Sequence, residues 1–305
     1  MLVAVSCKPA VPCLGRRLDL GSLFINFGTG KQDMSENESG EAGLIKRTPE
    51  LITRDRLRSD FGAFGLKPGS LIMMHSSLKS VGWMPGGVQF FLEVLLDYMG
   101  PDGTLMVPTH SSQLTDPKDW KAPPVPKAWH ETIRNDFPAY DPATTPTRSM
   151  GVLPETLRRW PGAIRSAHPH TSFAAIGPLA KDLTADHQLS SPMGKGSPLQ
   201  RLVDLNGETL FLGTGFANNT CFHLAEDYFP NAPRAIDGAP VLVDGKRQWV
   251  SYDAVEDNDD DFVACGEAFE KTGAVHLGKI GQADCKLFRT RNAVDFAIQW
   301  LGQNR

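Results

Sequence analysis

No run of about 18 apolar residues interrupts this 305-residue sequence, so no membrane-spanning helix is expected. Cysteine is sparse. Cys7, Cys13, Cys221, Cys265 and Cys285 are odd in number, widely spaced and never in a CxxC pair. That pattern argues against a disulfide framework or a cysteine zinc site and fits a reducing compartment. Excess positive charge is also missing: the formal net charge is −4, whereas nucleic-acid binding selects a basic surface. Lys8, Arg16 and Arg17 are not followed by the short apolar core and small-residue cleavage site of an export signal, so the expected location is cytoplasmic. Several catalytic signatures are absent too. There is no GxSxG elbow, no HExxH pattern and no internal repeat. GTGK (28–31) is not a phosphate loop, because Ile25 stands where that motif needs glycine. GTGFAN (213–218) has Asn218 in place of the third glycine of a dinucleotide loop.

What is present is ordinary globular composition, 41% hydrophobic and 22% charged, ample for a buried core. Residues 1–45, which include the polar stretch SENESGEAG, read as a flexible N-terminal extension, and 46–305 as one domain. From Thr48 onward the pattern is α/β. Leu57, Phe61 and Phe64 fall at helical spacing, LIMM (71–74) reads as a buried strand, and Val88, Phe91, Leu92, Leu95, Leu96 and Met99 form one helix face. TLMVP (104–108) is a second buried strand, followed by a long, Pro-rich, aperiodic segment over 111–149. A helix is expected over 152–160, a strand over 172–176 and a short helix from Pro178. Another helix opens at Ser197-Pro198, a strand follows Asn206-Gly207, and a helix spans 219–228. APVLV and RQWVSY flank Asp244-Gly245 as a β-hairpin, EDNDDD (256–261) reads as a solvated loop, and a last helix covers 291–301.

Three segments carry chemistry. HSSLKSVGWMPGG (75–87) leaves a buried strand and ends in two glycines at a helix start, where free N–H groups and the helix dipole favour phosphate. Its candidate binding residues are Ser76, Ser77, Leu78, Lys79, Ser80, Val81, Gly82, Gly86 and Gly87. SAHPHTSFAAIG (166–177) sets His168 and His170 just before a strand, where α/β enzymes place ligands. NNTCFHLAED (218–227) opens a helix on which His223 shares a face with Glu226 and Asp227. Each has a plainer reading, as a capped turn, a packed histidine and a surface ion pair respectively.

Taken in order, HSSLKSVGWMPGG, GPDGTLMVPT, FPAYDPATTPTRSMGVLPE, RSAHPHTSFAAIGPLA, GSPLQRL, LFLGTGF and CFHLAE resemble the aminoglycoside 3-N-acetyltransferases, from about residue 50 to the C-terminus. The resemblance implies an α/β fold with a central mixed sheet flanked by helices, distinct from the GNAT acetyltransferases and carrying a small β-hairpin insertion. It implies acetyl-CoA as co-substrate, no metal, and an acceptor amine on a 2-deoxystreptamine antibiotic, with antibiotic resistance as the role. Two departures stand out: the N-terminal extension, and the second histidine, His170, within HPHTSF.

An alkylammonium cannot attack a thioester until a base removes a proton, and histidine suits that task near neutral pH. His168 is the expected base in a direct transfer, Glu226 orients it or the substrate ammonium, and His75 and His223 are further catalytic candidates. A cationic acceptor needs carboxylates, for which Asp136, Asp141, Glu226 and Asp227 are expected. The competing readings are transfer to another amine, a zinc hydrolase using the HPH and His-x-x-Glu donors, a covalent route through Cys221, and a non-catalytic coenzyme A or polyamine binder. Homo-oligomerisation stays open, and neither nucleic acid nor membrane is an expected partner.

Overall fold

The computed structural model describes residues 40–305. Most of the expected flexible extension lies outside the described residues, but its last part does not behave as expected. Residues Glu41–Arg47 form a helix, α1. It is docked where Glu41 accepts a 2.9 Å hydrogen bond from the Trp83 indole. Thr48, just after it, donates to Leu44 O and accepts from Trp83 N, both at 2.8 Å. Tertiary hydrogen bonds thus override a locally polar, glycine-rich composition.

Helix α2 (Arg54–Ala63) is capped by Thr53 and leads to strand β1 (Leu71–Ser76). Helix α3 (Gly87–Met99) then crosses to β2 (Thr104–Pro108). The aperiodic segment that follows holds α4 (His130–Asp136) and α5 (Val152–Leu157). Next come β3 (Ile164–Arg165), β4 (Phe173–Ile176), α6 (Ala180–Thr184), α7 (Pro198–Asp204) and β5 (Glu208–Leu212). Helix α8 (Cys221–Glu226) precedes a separate two-stranded hairpin, β6 (Arg234–Val243) and β7 (Lys246–Val255). Helix α9 (Phe262–Glu270), β8 (His276–Ile280), β9 (Ala283–Arg289) and α10 (Thr290–Asn304) close the chain. No helix of the described residues is long and apolar enough to cross a membrane.

The main sheet has the order β3-β4-β2-β1-β5-β9-β8. The central strands β2, β1 and β5 are parallel; β4, β3, β9 and β8 pair antiparallel outside them. This is the mixed, helix-flanked sheet that was expected, with the hairpin where Asp244-Gly245 predicts it. Asp244 (φ 50°) and Gly245 (φ 73°) both take positive φ, the conformation that matches a two-residue turn to the strand twist. Alternation along β1 sends Ile72 and Met74 to a core with Phe61, Phe91 and Leu95, and Met73 to an opposite core with Phe211, Phe222, Phe262 and Phe288. Each fully buried phenylalanine contributes roughly 1.5–3 kcal/mol relative to an exposed one.

The long segment over 111–149 is held down by a buried arginine. Arg165 donates to Thr109 O (2.6 Å), Thr145 O (2.5 Å) and Ser111 Oγ (2.8 Å), and its guanidinium lies 5.3 Å from the Tyr140 ring centre. The helix expected over 152–160 ends at Leu157, ahead of Pro161. The helix expected over 219–228 is shorter, at Cys221–Glu226.

Gly213, which ends β5, shows how tightly this strand meets the loop after β1. Its φ is 64°, and a Cβ there would lie 1.7 Å from Ser80 Oγ. Gly213→Ala is therefore expected to destabilise the protein by about 2 kcal/mol or more, from left-handed strain plus the clash. Urea denaturation with an unchanged m-value checks this, and a loss below about 0.5 kcal/mol would contradict it.

Candidate active site

Strand β1 has β2 on one side and β5 on the other, so the chain leaves its carboxyl end in one direction and that of β5 in another. Such a switch point opens a crevice beyond the strand ends, where open α/β sheets bind ligands. His75 lies at the end of β1, His110 follows β2, and the segment after β5 runs into α8 with His223.

On one side of this crevice runs a groove made of two adjoining cavities, of about 400 and 460 Å³, which share Leu78, Lys79 and Val152. Leu78, Lys79, Gly82, Gly86 and Gly87 line the outer cavity, and Ser76, Ser77, Leu78 and Lys79 the inner one. Two members of the expected set have structural positions instead. Val81 is fully buried in the core, and Ser80 Oγ donates to Ser77 O at 2.7 Å. Gly86 takes a left-handed φ of 73° at the N-cap of α3, which leaves that helix end open to the groove. Lys79 has no ion-pair partner among the described residues. The groove thus offers a free cation, an open helix N-terminus and apolar walls, which suits an elongated phosphorylated ligand such as coenzyme A. The opposite wall comes from Ser149–Val152, and Thr214 and Asn218 complete it. GTGFAN is therefore a lining loop after all, though not through a dinucleotide fingerprint.

The groove opens inward to a cavity of about 210 Å³, with which it shares His75, Pro108, Met150 and Asn218. His75 packs edge-on against Phe211, and burial lowers its pKa to about 4. His110 packs against Phe173, and its pKa is lowered to about 3, first by burial and then by His223 and His75. Both rings are therefore neutral at working pH. The Nε2 atoms of His75 and His110 and both amide atoms of Asn219 are buried without a protein partner, and all three residues line this cavity. His223 lines it as well. Its Nδ1 lies 2.7 Å from Glu226 Oε2, one helical turn away, and its ring packs against Phe262. Burial works to lower the His223 pKa, but the bond to Glu226 and the charges of Asp257 and Asp259 outweigh it and raise the value. The plainer reading of His223 and Glu226, an exposed ion pair, does not hold, since Glu226 is only 3% exposed.

His168 sits differently. It is fully buried, and its Nδ1 accepts from the amides of His170 (3.2 Å) and Thr171 (3.1 Å). That leaves the proton on Nε2, which donates to Leu189 O at 3.3 Å. Burial pushes its pKa well below the usual value. Both nitrogens are engaged in holding the turn before β4, so no lone pair faces the cavity. His170 bridges segments too, with Nε2 3.1 Å from Leu114 O and Nδ1 near Asp237 (3.1 Å) and the Tyr252 hydroxyl (3.0 Å).

Beyond this cavity, sharing His110 and Met193 with it, lies a cleft of about 490 Å³. Its carboxylates are Asp119, Asp237, Glu256 and Asp257, with Lys118 and Lys121 also present. Of the acids expected to bind a cationic acceptor, Asp136, Asp141 and Asp227 line neither cleft nor cavity. Asp136 is exposed at the end of α4. Asp141 accepts from Ala143 N and Thr144 N, the turn that Pro142 suggests, and Asp227 accepts from Lys195 N. Glu226 faces His223 rather than the cleft. Sequence reasoning passed over Asp257 as part of a solvated acidic run. It lies 3.9 Å from His223 Nδ1, and its own pKa is raised, first by partial desolvation. The signal was the run itself, which follows directly on an alternating strand.

His223, Glu226 and Asp257 offer metal-type donor atoms within 4.8 Å of one another. The 2.7 Å between His223 and Glu226 is, however, the separation of a shared proton; two ligands of one tetrahedral zinc stand about 3.3 Å apart. The HPH histidines, which a zinc site built from both motifs requires, are spent on other hydrogen bonds.

Comparison with known proteins follows the same lines. The family model for aminoglycoside 3-N-acetyltransferase matches residues 73–302. The aminoglycoside N(3')-acetyltransferase-like protein YokD of Bacillus subtilis is 40% identical over 262 residues, covering 86% of this chain and 96% of that protein. Its crystal structure superposes with a TM-score of 0.84. Aminoglycoside N(3)-acetyltransferase VII of Streptomyces paromomycinus is 39% identical over 280 residues, covering 86% of this chain and 95% of that one. The structure of AAC-IIIb in binary complex with CoASH matches with a TM-score of 0.73 at 31% identity, covering 84% of this chain and 98% of that one. By its family model and by relatives matched over most of their length, the chain belongs to the aminoglycoside 3-N-acetyltransferases, a family of acyltransferases.

Proposed function

We propose that this protein transfers an acetyl group directly from acetyl-CoA to the 3-amino group of a 2-deoxystreptamine aminoglycoside, with His223 as general base. One observation carries the reading: a phosphate-suited groove and an acid-lined cleft meet at a small cavity, and the His223–Glu226 pair stands in its wall. The CoASH complex of one relative and the aminoglycoside in the name of another point the same way. The cysteines of the described residues, Cys221, Cys265 and Cys285, are free and buried, which fits a cytoplasmic setting.

Acetyl-CoA supplies the acyl group as a thioester; the protein supplies position and proton control. Lys79 and the end of α3 hold phosphate, while Asp119, Asp237, Glu256 and Asp257 attract the cationic acceptor. Glu226 holds Nδ1–H of His223, which leaves Nε2 free to take a proton from the acceptor nitrogen, and the carboxylate then stabilises the imidazolium. The base role thus moves from His168, whose nitrogens are both occupied, to the helical histidine. His75 stays neutral and serves as a hydrogen-bonding wall. Backbone N–H groups of the 76–82 loop other than those of Ser77 and Ser80, which donate to Leu212 O and Ser77 O, are assigned to the developing oxyanion. Cys221 is not placed to act as a nucleophile: it is fully buried, hydrogen-bonded to Thr209, and its thiol is pushed up to about 12.

Coenzyme A release is expected with acetyl-CoA plus gentamicin, kanamycin, neomycin or apramycin, and product mapping should place the acetyl group on N3. Release with simple amines alone would favour a different acceptor. His223→Ala should lower kcat by roughly 10²–10⁴-fold. His168→Ala should act first on stability, by about 2 kcal/mol, through two unsatisfied amides. Equal kcat losses in the two folded variants would return His168 to the base role. Because a protonated His223 cannot act, kcat/KM should rise with pH through an acid limb above 6.5, the direction in which Glu226 and the acidic loop shift it. Cys221→Ser should keep kcat within about twofold and show no acyl-enzyme burst, which a covalent route requires.

A further inference from the structure

We infer that Arg305 is a positioning residue for the transfer: it holds the Glu226 carboxylate against His223 and latches the acidic loop beside that pair. The inference rests on His223 being the base. Arg305 Nη1 lies 2.5 Å from Glu226 Oε1, the oxygen that His223 does not use. Its Nε and Nη2 grip both oxygens of Asp261 at 2.7 and 2.6 Å, and Nη2 also donates to Asn258 O at 2.6 Å. One guanidinium thus ties the end of α10 to α8 and to both halves of the loop that brings Asp257 to His223.

Apart from Arg305, Glu226 Oε1 has only a 3.3 Å contact from Asn258 N. A buried carboxylate oxygen left so poorly paired is costly, and the group turns to water where water is within reach. Here it is within reach. A separate cavity of about 450 Å³, lined by Glu226, Phe229, Asn231, Glu256 and Arg305, lies behind the pair. Arg305 keeps the carboxylate from turning that way, and so keeps the proton of His223 on Nδ1 and its lone pair on Nε2.

The same side chain sets the charge around the base. His223 is faced by Glu226 on its own helix, by Asp257 and Asp259 from the acidic loop, and by the neutral His110 and His75 across the cavity. Asp261 belongs to that loop and is neutralised by Arg305. Asp237, from β6, adds negative charge next to Asp257. Replacing Arg305 by a neutral residue removes a cation and unmasks Asp261, and both changes make His223 hold its proton more tightly.

The test compares pH profiles of kcat/KM for wild type, Arg305→Met and Arg305→Lys with kanamycin, alongside His223→Ala. The acceptor amines titrate identically in all of them, so a displaced acid limb reads the enzyme's base. Arg305→Met should displace the limb by roughly half to one pH unit, upward where Glu226 stays on His223 and only a partly screened cation is lost, downward where Glu226 turns away and the bond that raises the His223 pKa is lost. Its plateau kcat should fall about tenfold, a fraction of what the base itself carries. Arg305→Lys should bring the limb back toward the wild-type position. A limb unmoved in Arg305→Met overturns the inference even if the plateau falls, since loosened structure alone lowers activity at every pH. With His223→Ala inactive, that result removes Arg305 only. An active His223→Ala removes the base reading and this inference together.

Discussion

A carboxylate that is 3% exposed is tolerable only when each oxygen has a partner, and the site is arranged around that requirement for Glu226. One oxygen takes the His223 ring, one turn back on α8. The other takes Asn258 N from the acidic loop and Arg305 from the end of α10. Three segments far apart in sequence are thereby drawn onto one side chain. Helix α8 is too short to be stable by itself. Its place comes from Cys221, Phe222, Leu224 and Ala225, which are buried against α10 and α9. The His223–Glu226 pair is thus anchored in the core on one face and in charge on the other.

The same environment sorts the histidines. His75 at the end of β1, His110 just after β2 and His223 on α8 all reach one cavity, yet they do not share a protonation behaviour. Where burial acts without carboxylates, as at His75 and His110, the neutral ring wins. Where Glu226, Asp257 and Asp259 stand near, their charges outweigh burial and the proton is held more tightly. One residue type therefore yields both neutral rings and a ring that holds its proton, with surroundings setting the difference.

Much of this frame was legible in the sequence because it is encoded locally. The apolar runs of β1, β2 and β5, the amphipathic face of α3, the Ser197 cap and the Asp244-Gly245 turn each carry their own short-range signal, and each element forms. The groove residues after β1 were legible for the same reason. Strands β8 and β9 gave no such reading, since they lie at the outer side of β5 and draw their pairing from it. The proposed base was harder to find. HPHTSF and CFHLAE both offer a histidine near a strand, and only contacts distinguish them. Two backbone amides cap Nδ1 of His168, whereas a carboxylate caps Nδ1 of His223. No spacing rule shows which ring nitrogen is left free. Arg305 and Asp257 were beyond reach for a related reason, as their partners are 79 and 34 residues away in the chain.

The two ligand regions differ in what builds them. The groove after β1 is tied to the sheet: Ser77 N donates to Leu212 O at 2.8 Å, and Gly213 admits Ser80 where no side chain would fit. The acid-lined cleft comes from the long segment after β2, the β6–β7 hairpin and the acidic loop, none of which belongs to the main sheet. Arg165, the His170–Asp237 contact and Arg305 fasten these pieces to the frame one at a time. Charge and shape in the cleft can therefore change by substitution in the fastened segments without disturbing strand register or the groove. On the proposed reading, with the donor held in the sheet-tied groove and the acceptor in the cleft of attached segments, one acyl donor is kept while the range of accepted amines varies.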